Sequence, residues 1–488
     1  MSRLLRRVLR AVANRAWLHR HSARGPSMSY PAMIIEPGSY NVRFHLRGRL
    51  LSGTVELEAR KPVGLEIDDP DSVSRSGDFP QETQVDRLVG QLWSNEDIVL
   101  YHVQLAEIFP GRYTGVARYA LIGLGIQDVE SGLRCVEFQA EGLDEFFWTK
   151  PLKDYQWPHN PSSSDFAATM IEGTDTTWSS AGLTISAGYP WKIEHLDGYG
   201  LSISFAPVMT FESTSALSPD DWLVQWLGPF LRLISFGTTG LRRPSWVVFS
   251  AHVEGANQPI RAQLYGPGIT QDLHTARRPI IHDVSRRPLF TRHDLPTQLP
   301  ELVRLWNELE SSDNPFPELY RLASDPDLPP RAHFLYLVQA LEGLHGFEHR
   351  AEDDRRQEAH ETMRADLISE IETRLGQPLA RRVKEMVDKR ARDSLDRRIK
   401  GILDITPQAV VKRLEYHRDD PIAFHYSQGK RVSFQEITRR LRNDLSHGNY
   451  NPDAEHLQSW IERLDRLAQA QLLRLLGFSA ELIASRLG

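Results

Sequence analysis

The sequence predicts an α+β protein: a β-rich N-terminal region followed by an all-α helical bundle. From about residue 32 to 147, apolar residues alternate with period two, the mark of half-buried antiparallel strands. After Pro329-Pro330 the spacing changes to three and four residues, which gives each of several helices one apolar face. Between them, over 288–330, prolines recur and neither period is sustained. The expected organisation is a basic tail over 1–30, a β-rich region over 31–287, a linker with one short helix over 288–330 and a helical domain over 331–488.

The tail carries Arg3, Arg6, Arg7, Arg10, Arg15, Arg20 and Arg24 and no acidic residue. Leu4, Leu5, Val8, Leu9, Val12 and Trp17 give it amphipathic helical spacing. In a eukaryote such a segment reads as a mitochondrial presequence, and it lacks the apolar core of a secretory signal. The expectation is a disordered basic tail ahead of a start at Met28, with membrane-surface or RNA binding as its functional alternative.

In the β-rich region Val42, Phe44 and Leu46 alternate, then Val55 and Leu57, then Val99, Tyr101, Val103 and Leu105. Pro158 to Ser164 reads as a loop, and strands resume over 182–186 and 201–205. A helix is expected from Ser218 over 219–233, carrying Trp222, Val224, Trp226, Leu227 and Leu231, and a strand over 245–253. Trp157, Trp178 and Trp191 suit either a ligand surface or core packing. No internal repeat suggests a solenoid. The linker's short helix falls near Leu302 to Leu309. Beyond it Phe334, Leu337, Val338 and Leu341 mark one helix, Met363, Leu367, Ile371 and Leu375 the next, and Val383, Val387, Ala391 and Leu395 another. Thr406 and Pro407 open a further one, and the mixed charges from Arg350 to Lys400 read as solvated helix faces.

Composition narrows the function. A chain of 488 residues, 40% hydrophobic and 25% charged, belongs with globular proteins of two or three domains. Its net charge of −6 excludes coating nucleic acid through bulk charge, so any RNA contact must use a local basic patch. Cys135 is the only cysteine, which excludes an intrachain disulfide and a cysteine-rich zinc site and fits a reducing cytoplasm. No apolar run reaches membrane-spanning length, and no membrane partner is expected.

Arg442-Asn443-Asp444-Leu445-Ser446-His447 is the most informative segment. Ser433 reads as an N-cap with Glu436 completing a capping box, and Val432 with Ile437 as the hydrophobic staple. Ile437, Leu441 and Leu445 form a buried stripe, and His447-Gly448-Asn449 ends the helix. The next helix is expected with Asn451 as cap and Pro452 in its first turn, running on Leu457, Trp460, Ile461, Leu464, Leu467 and Leu472 to Gly477. His447 is thereby set on a tight corner, exposed yet held. Five residues of helix turn through roughly 140°. Arg442 and His447 therefore meet on one phosphate only if the helix ends between them or if two copies of the chain face each other. Arg442 offers a planar charged fork, His447 an imidazole of the kind that serves as a proton shuttle, and the helix starting near Pro452 a field that favours an anion.

The spacing alone is unspecific, since about two Arg-x4-His matches are expected by chance. Arg355 with His360 is a decoy inside a charged helix. Asn443, the helix end and the upstream Leu341-Glu342 with His345 set the Arg442/His447 match apart. The bland alternative is a solvated helix terminus, with Arg and His beside its carbonyls.

An Arg-x4-His after an all-helical stretch resembles the HEPN superfamily, whose catalytic members are metal-independent ribonucleases. Phe334-Leu335-Tyr336-Leu337-Val338-Gln339-Ala340-Leu341-Glu342-Gly343-Leu344-His345 resembles the first helix of the ApeA-like branch, prokaryotic anti-phage proteins with a C-terminal HEPN domain. The likeness runs from about Arg331 to Asn451; over the N-terminal half the order of elements matches better than the residues. It implies a HEPN bundle, an RNA substrate such as transfer RNA, a homodimer and abortive infection as the biological setting. It also implies a phage-derived trigger at the N-terminal region, and no metal or other cofactor.

In the implied reaction a ribose 2′-hydroxyl attacks the adjacent phosphate, which needs a base, an acid and positive charge on the phosphorane. His447 moves the proton, Arg442 stabilises the transition state, and Asn443 orients the phosphate or the histidine. In the homodimer, acid and base can come from different chains. Glu342, His345 and Asp444 are the expected lining residues. Glu342 and His345, at i and i+3, either hold Arg442 or His447 or form a structural polar pair. Two alternatives stand beside this reading. His345-Gly346-Phe347-Glu348-His349 matches the H-x-x-E-H pattern of inverted zinc peptidases, with Glu415 as candidate third ligand, although Gly346 weakens the helix it needs. The other is a HEPN domain that binds a nucleotide or RNA phosphate without cleaving it.

Overall fold

The computed structural model describes residues 34–46, 48–69, 82–109, 111–128, 132–149, 152–156, 167–170, 175–180, 182–196, 201–252, 258–271, 288–325, 327–387, 394–417, 419–427, 430 and 432–488. The basic tail, Met28, the loop at Pro158 to Ser164, Trp157, and Val253 at the end of its expected strand lie outside them. The chain divides into two compact units, Met1–Arg304 and Leu305–Gly488. The first is β-rich and the second is all-helical, as the two periodicities predict.

Six antiparallel strands open the first unit: β1 (Gly38–Leu46), β2 (Arg49–Leu57), β3 (Val63–Asp68), β4 (Glu82–Leu92), β5 (Asp97–Phe109) and β6 (Arg112–Gly123). Their pairing in the ring β5–β6–β3–β2–β1–β4–β5 closes a barrel, which leaves no free edge among them. Val42, Phe44, Val55, Leu57, Leu65 and Ile67 fill its interior at alternate positions. Along β5 the inward set is Ile98 and Leu100, then Val103 and Leu105, because the backbone turns to φ 54° at His102 and breaks the expected Val99, Tyr101, Val103, Leu105 alternation.

β6 changes partner along its length, and a second sheet grows from that switch. Arg112 to Ala117 pair with β3, whereas Ala120 to Ile122 pair with β16. The later strands are β7 (Leu133–Ala140), β8 (Leu152–Gln156), β9 (Ala167–Met170), β10 (Thr176–Ser180), β11 (Leu183–Gly188), β12 (Trp191–Leu196), β13 (Leu201–Phe205), β14 (Val208–Leu217), β15 (Pro244–Ala251) and β16 (Ile260–Tyr265). From β6 the order runs β16–β15–β7–β14–β11–β10, while β8–β9 and β12–β13 pair separately. A short helix α1 (Leu143–Phe147) follows β7. The helix expected from Ser218 is present as α2 (Pro219–Asp221), a π-helical turn (Trp222–Leu227) and α3 (Gly228–Gly237), with Ser218 and Asp221 capping each other. Phe138, Phe211 and Phe230 meet edge to face at 5.2–5.5 Å and lock α3 onto the sheet. Trp178 is buried, so packing is its use.

Burial pushes the Asp144 carboxyl in α1 up to about 7, with Glu145 adding to the effect. Its pKa in the unfolded chain is about 3.9, so the fold holds a proton there that the unfolded chain releases. Its contribution to stability is therefore full below about pH 4 and is lost as pH rises toward 7, levelling off above. Asp144→Asn, which mimics the protonated form, should raise stability by about 2 kcal/mol at pH 8 and leave it nearly unchanged at pH 4. Denaturant unfolding at the two pH values checks this, and an equal effect at both would refute it.

The stretch expected as a linker contains two helices rather than one, α4 (Leu299–Ser311) and α5 (Phe316–Ala323), and the unit boundary falls within α4. The second unit continues with α6 (Pro330–Glu348), α7 (Arg350–Leu375), α8 (Gln377–Met386), α9 (Leu395–Asp404), α10 (Gln408–Arg413), α11 (Pro421–Ser427), α12 (Phe434–His447), α13 (Ala454–Leu475) and α14 (Ala480–Leu487). α6 is central, packing on α5, α9, α12 and α13 through Phe334, Leu337, Val338, Leu341 and Leu344. Tyr320 of α5 donates to Asp465 of α13 at 2.9 Å, and burial pushes that carboxyl up to about 6. α7 forms as its apolar spacing predicts but buries none of its residues, and Met363, Leu367 and Leu375 are exposed. Its many charges satisfy solvent, and α8 is its main neighbour. The helix expected through Val383, Val387, Ala391 and Leu395 breaks at Val387, and Ala391 lies outside the described residues. α8 stops where Val387 turns extended, and α9 starts afresh after Ser394.

Candidate functional site

α12 carries Arg442, Asn443, Asp444 and His447. The Ser433 side chain accepts from the Glu436 backbone N–H at 3.4 Å, which fixes the start of the helix. The reciprocal half of the expected capping box is replaced, because Glu436 pairs with Arg440 one turn on. Ile437, Leu441 and Leu445 are buried as the stripe requires. Gly448, at φ 72°, ends the helix, and its N–H and that of Asn449 both donate to the Asp444 carbonyl. A residue with a side chain is strained there, so the glycine makes the corner sharp. Arg331 of α6 donates to the Leu445 carbonyl, adding a cation at the helix C-terminus.

α13 begins two residues later than expected. Asp453 holds the cap position and Ala454 starts the helix, leaving Asn451 and Pro452 in the corner. Pro452 is buried there, and its fixed φ shapes the connection instead of the first turn. The expected inward residues of α13 are all buried.

The helix does not end between Arg442 and His447. Both lie within α12, so within one chain they project roughly 140° apart. Arg442 is held on two sides, by Asn443 Oδ1 at 3.2 Å and by the Glu342 carboxylate of α6 at 3.4 Å. Asn443 thus positions the arginine. His447 is exposed and makes no side-chain hydrogen bond among the described residues. Asp444 accepts from the Tyr426 hydroxyl at 2.8 Å, which ties α11 to the corner. Burial and that hydrogen bond push the phenol up, so it stays a donor.

Of the two expected lining residues on α6, only Glu342 reaches Arg442. His345 is buried and turns toward α9, where a Cβ added at Gly401 would lie 2.8 Å from its Nε2. Its ring stacks on His349 at 4.2 Å with 3° between planes, and His349 Nδ1 contacts the His345 carbonyl at 3.1 Å. Stacked parallel rings hold their in-plane lone pairs side by side, so they do not converge on one ion as zinc coordination needs. Glu348 is engaged by Arg474, and His349 stands outside the helix as its cap. Among the described residues no group of three or more metal-ligating side chains comes together.

Sequence reasoning missed the aromatic side of the corner. Tyr450, three residues past His447, stacks on His425 at 4.1 Å, and Tyr426 meets both edge on. Tyr450 was visible from its position, but His425 lies in a separate short helix and no spacing pairs the two. No family model, curated protein or solved structure matches the chain. No helix among the described residues is long and apolar enough to cross a membrane.

Proposed function

We propose that the helical unit is a metal-independent HEPN-type endoribonuclease that cleaves RNA, transfer RNA included, through 2′-hydroxyl attack, and that it acts in anti-phage defence. The observation that carries this reading is His447: exposed, without a side-chain partner among the described residues, and fixed on the last turn of a glycine-capped helix. A proton shuttle needs an open imidazole on a rigid mount, which this helix end provides. Arg442, held between Asn443 and Glu342, supplies the guanidinium for a phosphorane. Stacked His425 and Tyr450 offer a platform for an unpaired base beside the corner. Because the two key side chains diverge within one helix, the proposed site forms between two copies of the chain, with Arg442 and His447 of each facing the other's.

The Arg442–Glu342 pair also favours a second reading, a phosphate-binding module without cleavage, since the carboxylate competes with the phosphate for the guanidinium. The distinguishing experiment incubates the purified full chain with total and transfer RNA in chelator. Cleavage leaving 2′,3′-cyclic phosphate ends is expected. Saturable RNA binding with intact RNA supports the module instead, and activity restored only by zinc refutes both.

A further inference from the structure

A second group of charges on the helical unit lies away from Arg442. Lys412 and Arg413 at the end of α10, Glu415 and His417 just after it, and Ser459, Glu462, Arg463 and Arg466 of α13 line a cleft of about 360 Å³. Four permanent cations face two carboxylates there. Arg463 is already neutralised and immobilised: it pairs with Asp420 at 3.2 Å, donates to the Ser459 carbonyl and lies over the Trp460 ring. Lys412, Arg413 and Arg466 make no ion pair among the described residues. With Arg463 paired to Asp420, three cations face Glu415 and Glu462, and the positive charge left over favours an anion in the cleft.

We propose that this cleft binds backbone phosphates of single-stranded RNA and holds the strand whose neighbouring segment enters the His447 corner. This rests on the ribonuclease reading. The chain's charge of −6 gives RNA no bulk attraction, so a substrate needs a local cationic seat. The cleft begins about 7.5 Å along α13 from the corner, counted from Ala454 to Ser459 at helical rise. Guanidinium forks on Arg413 and Arg466 match phosphate oxygens, and a volume of about 360 Å³ admits a nucleotide but no folded partner.

The test measures binding separately from cleavage. The full-length His447→Ala chain, which spares the probe, is titrated with a fluorescent single-stranded oligoribonucleotide over a range of salt. Arg413→Gln with Arg466→Gln should weaken binding about tenfold and lower the logarithmic salt slope by about 1.4, roughly 0.7 per phosphate lost. Glu415→Gln with Glu462→Gln should tighten binding about threefold, an effect that a merely structural role of the cleft does not produce. Unchanged affinity and slope in both pairs overturn the proposal. AMP and inorganic phosphate are titrated alongside: if either binds and is lost in the arginine pair while RNA affinity holds, the cleft serves a small anion and the RNA assignment falls. Should RNA binding depend on the cleft while the wild-type chain leaves RNA uncut, the cleft stands and the ribonuclease reading fails. If RNA is cut but binds regardless of the cleft, the reverse holds.

Discussion

Replacing His447 by alanine should lower RNA cleavage by about 10²–10⁴-fold while leaving thermal unfolding unchanged. The size follows from removing a general acid or base. The unchanged stability follows from the structure: His447 is exposed, and the helix end is closed by Gly448 and Asn449 backbone and by Arg331, not by the imidazole. Arg442→Ala should cost about 10²–10³-fold, the loss of one electrostatic contact to a developing charge. It also frees the Glu342 carboxylate, so Arg442→Lys is the better probe: it keeps the charge and removes only the fork. Mixing wild-type and His447→Ala chains under subunit exchange tests the two-copy site. If one site between the copies needs both imidazoles, as acid and base, an equal mixture retains about a quarter of the cleavage, since only pairs of wild-type chains are competent. Retention of about half means that each site uses one imidazole. Mixing Arg442→Ala with His447→Ala chains then decides where its arginine comes from, since about a quarter of the cleavage is recovered if it comes from the other copy and none if each chain is sufficient.

What the sequence revealed of this site depended on how local the signal was. Ser433, the Ile437–Leu441–Leu445 stripe and the Gly448 stop all act within one or two turns, and each does what its type and spacing predict. The Asp453 cap was missed because Asn451, Pro452 and Asp453 each carry start signals, and only packing of the buried Pro452 selects among them. Glu342 meets Arg442, whereas His345, a single turn away on α6, stacks on His349 instead. An i, i+3 pair shares a face only approximately, and the small Gly401 on α9 offered His345 a pocket that no pattern announces. The barrel shows the same limit on a larger scale. Alternation marks its strands, but the partner switch of β6 from β3 to β16 depends on pairing across nearly 150 residues. α7 is the converse case, an apolar stripe in sequence with no core to bury it.

Trp460→Ala should have the largest effect on stability, about 3–5 kcal/mol from the helical unit. Trp460 is fully buried, its ring lies parallel to Phe434 at 5.3 Å, Tyr416 leans on it at 5.9 Å, and its Nε1 donates to Asp420 at 3.1 Å. The ring therefore joins the start of α12 to α13, while Asp420 begins α11 by accepting from the Ile422 and Ala423 backbone N–H groups. Trp460→Phe keeps an aromatic face against Phe434 and loses the indole donor, so about 1–2 kcal/mol is expected. Trp93→Ala, at a residue 71% exposed in the other unit, should change stability by less than about 0.5 kcal/mol. Urea unfolding of the full chain, followed by helical circular dichroism, measures all three. A loss below about 1 kcal/mol for Trp460→Ala would mean that α12 and α13 are held together elsewhere. The consequence for function runs through Arg463, which lies over the same ring and pairs with the same carboxylate. Trp460→Phe should therefore weaken RNA binding at the cleft more than its modest cost in stability explains, because the arginine that defines the cleft wall loses part of its mount.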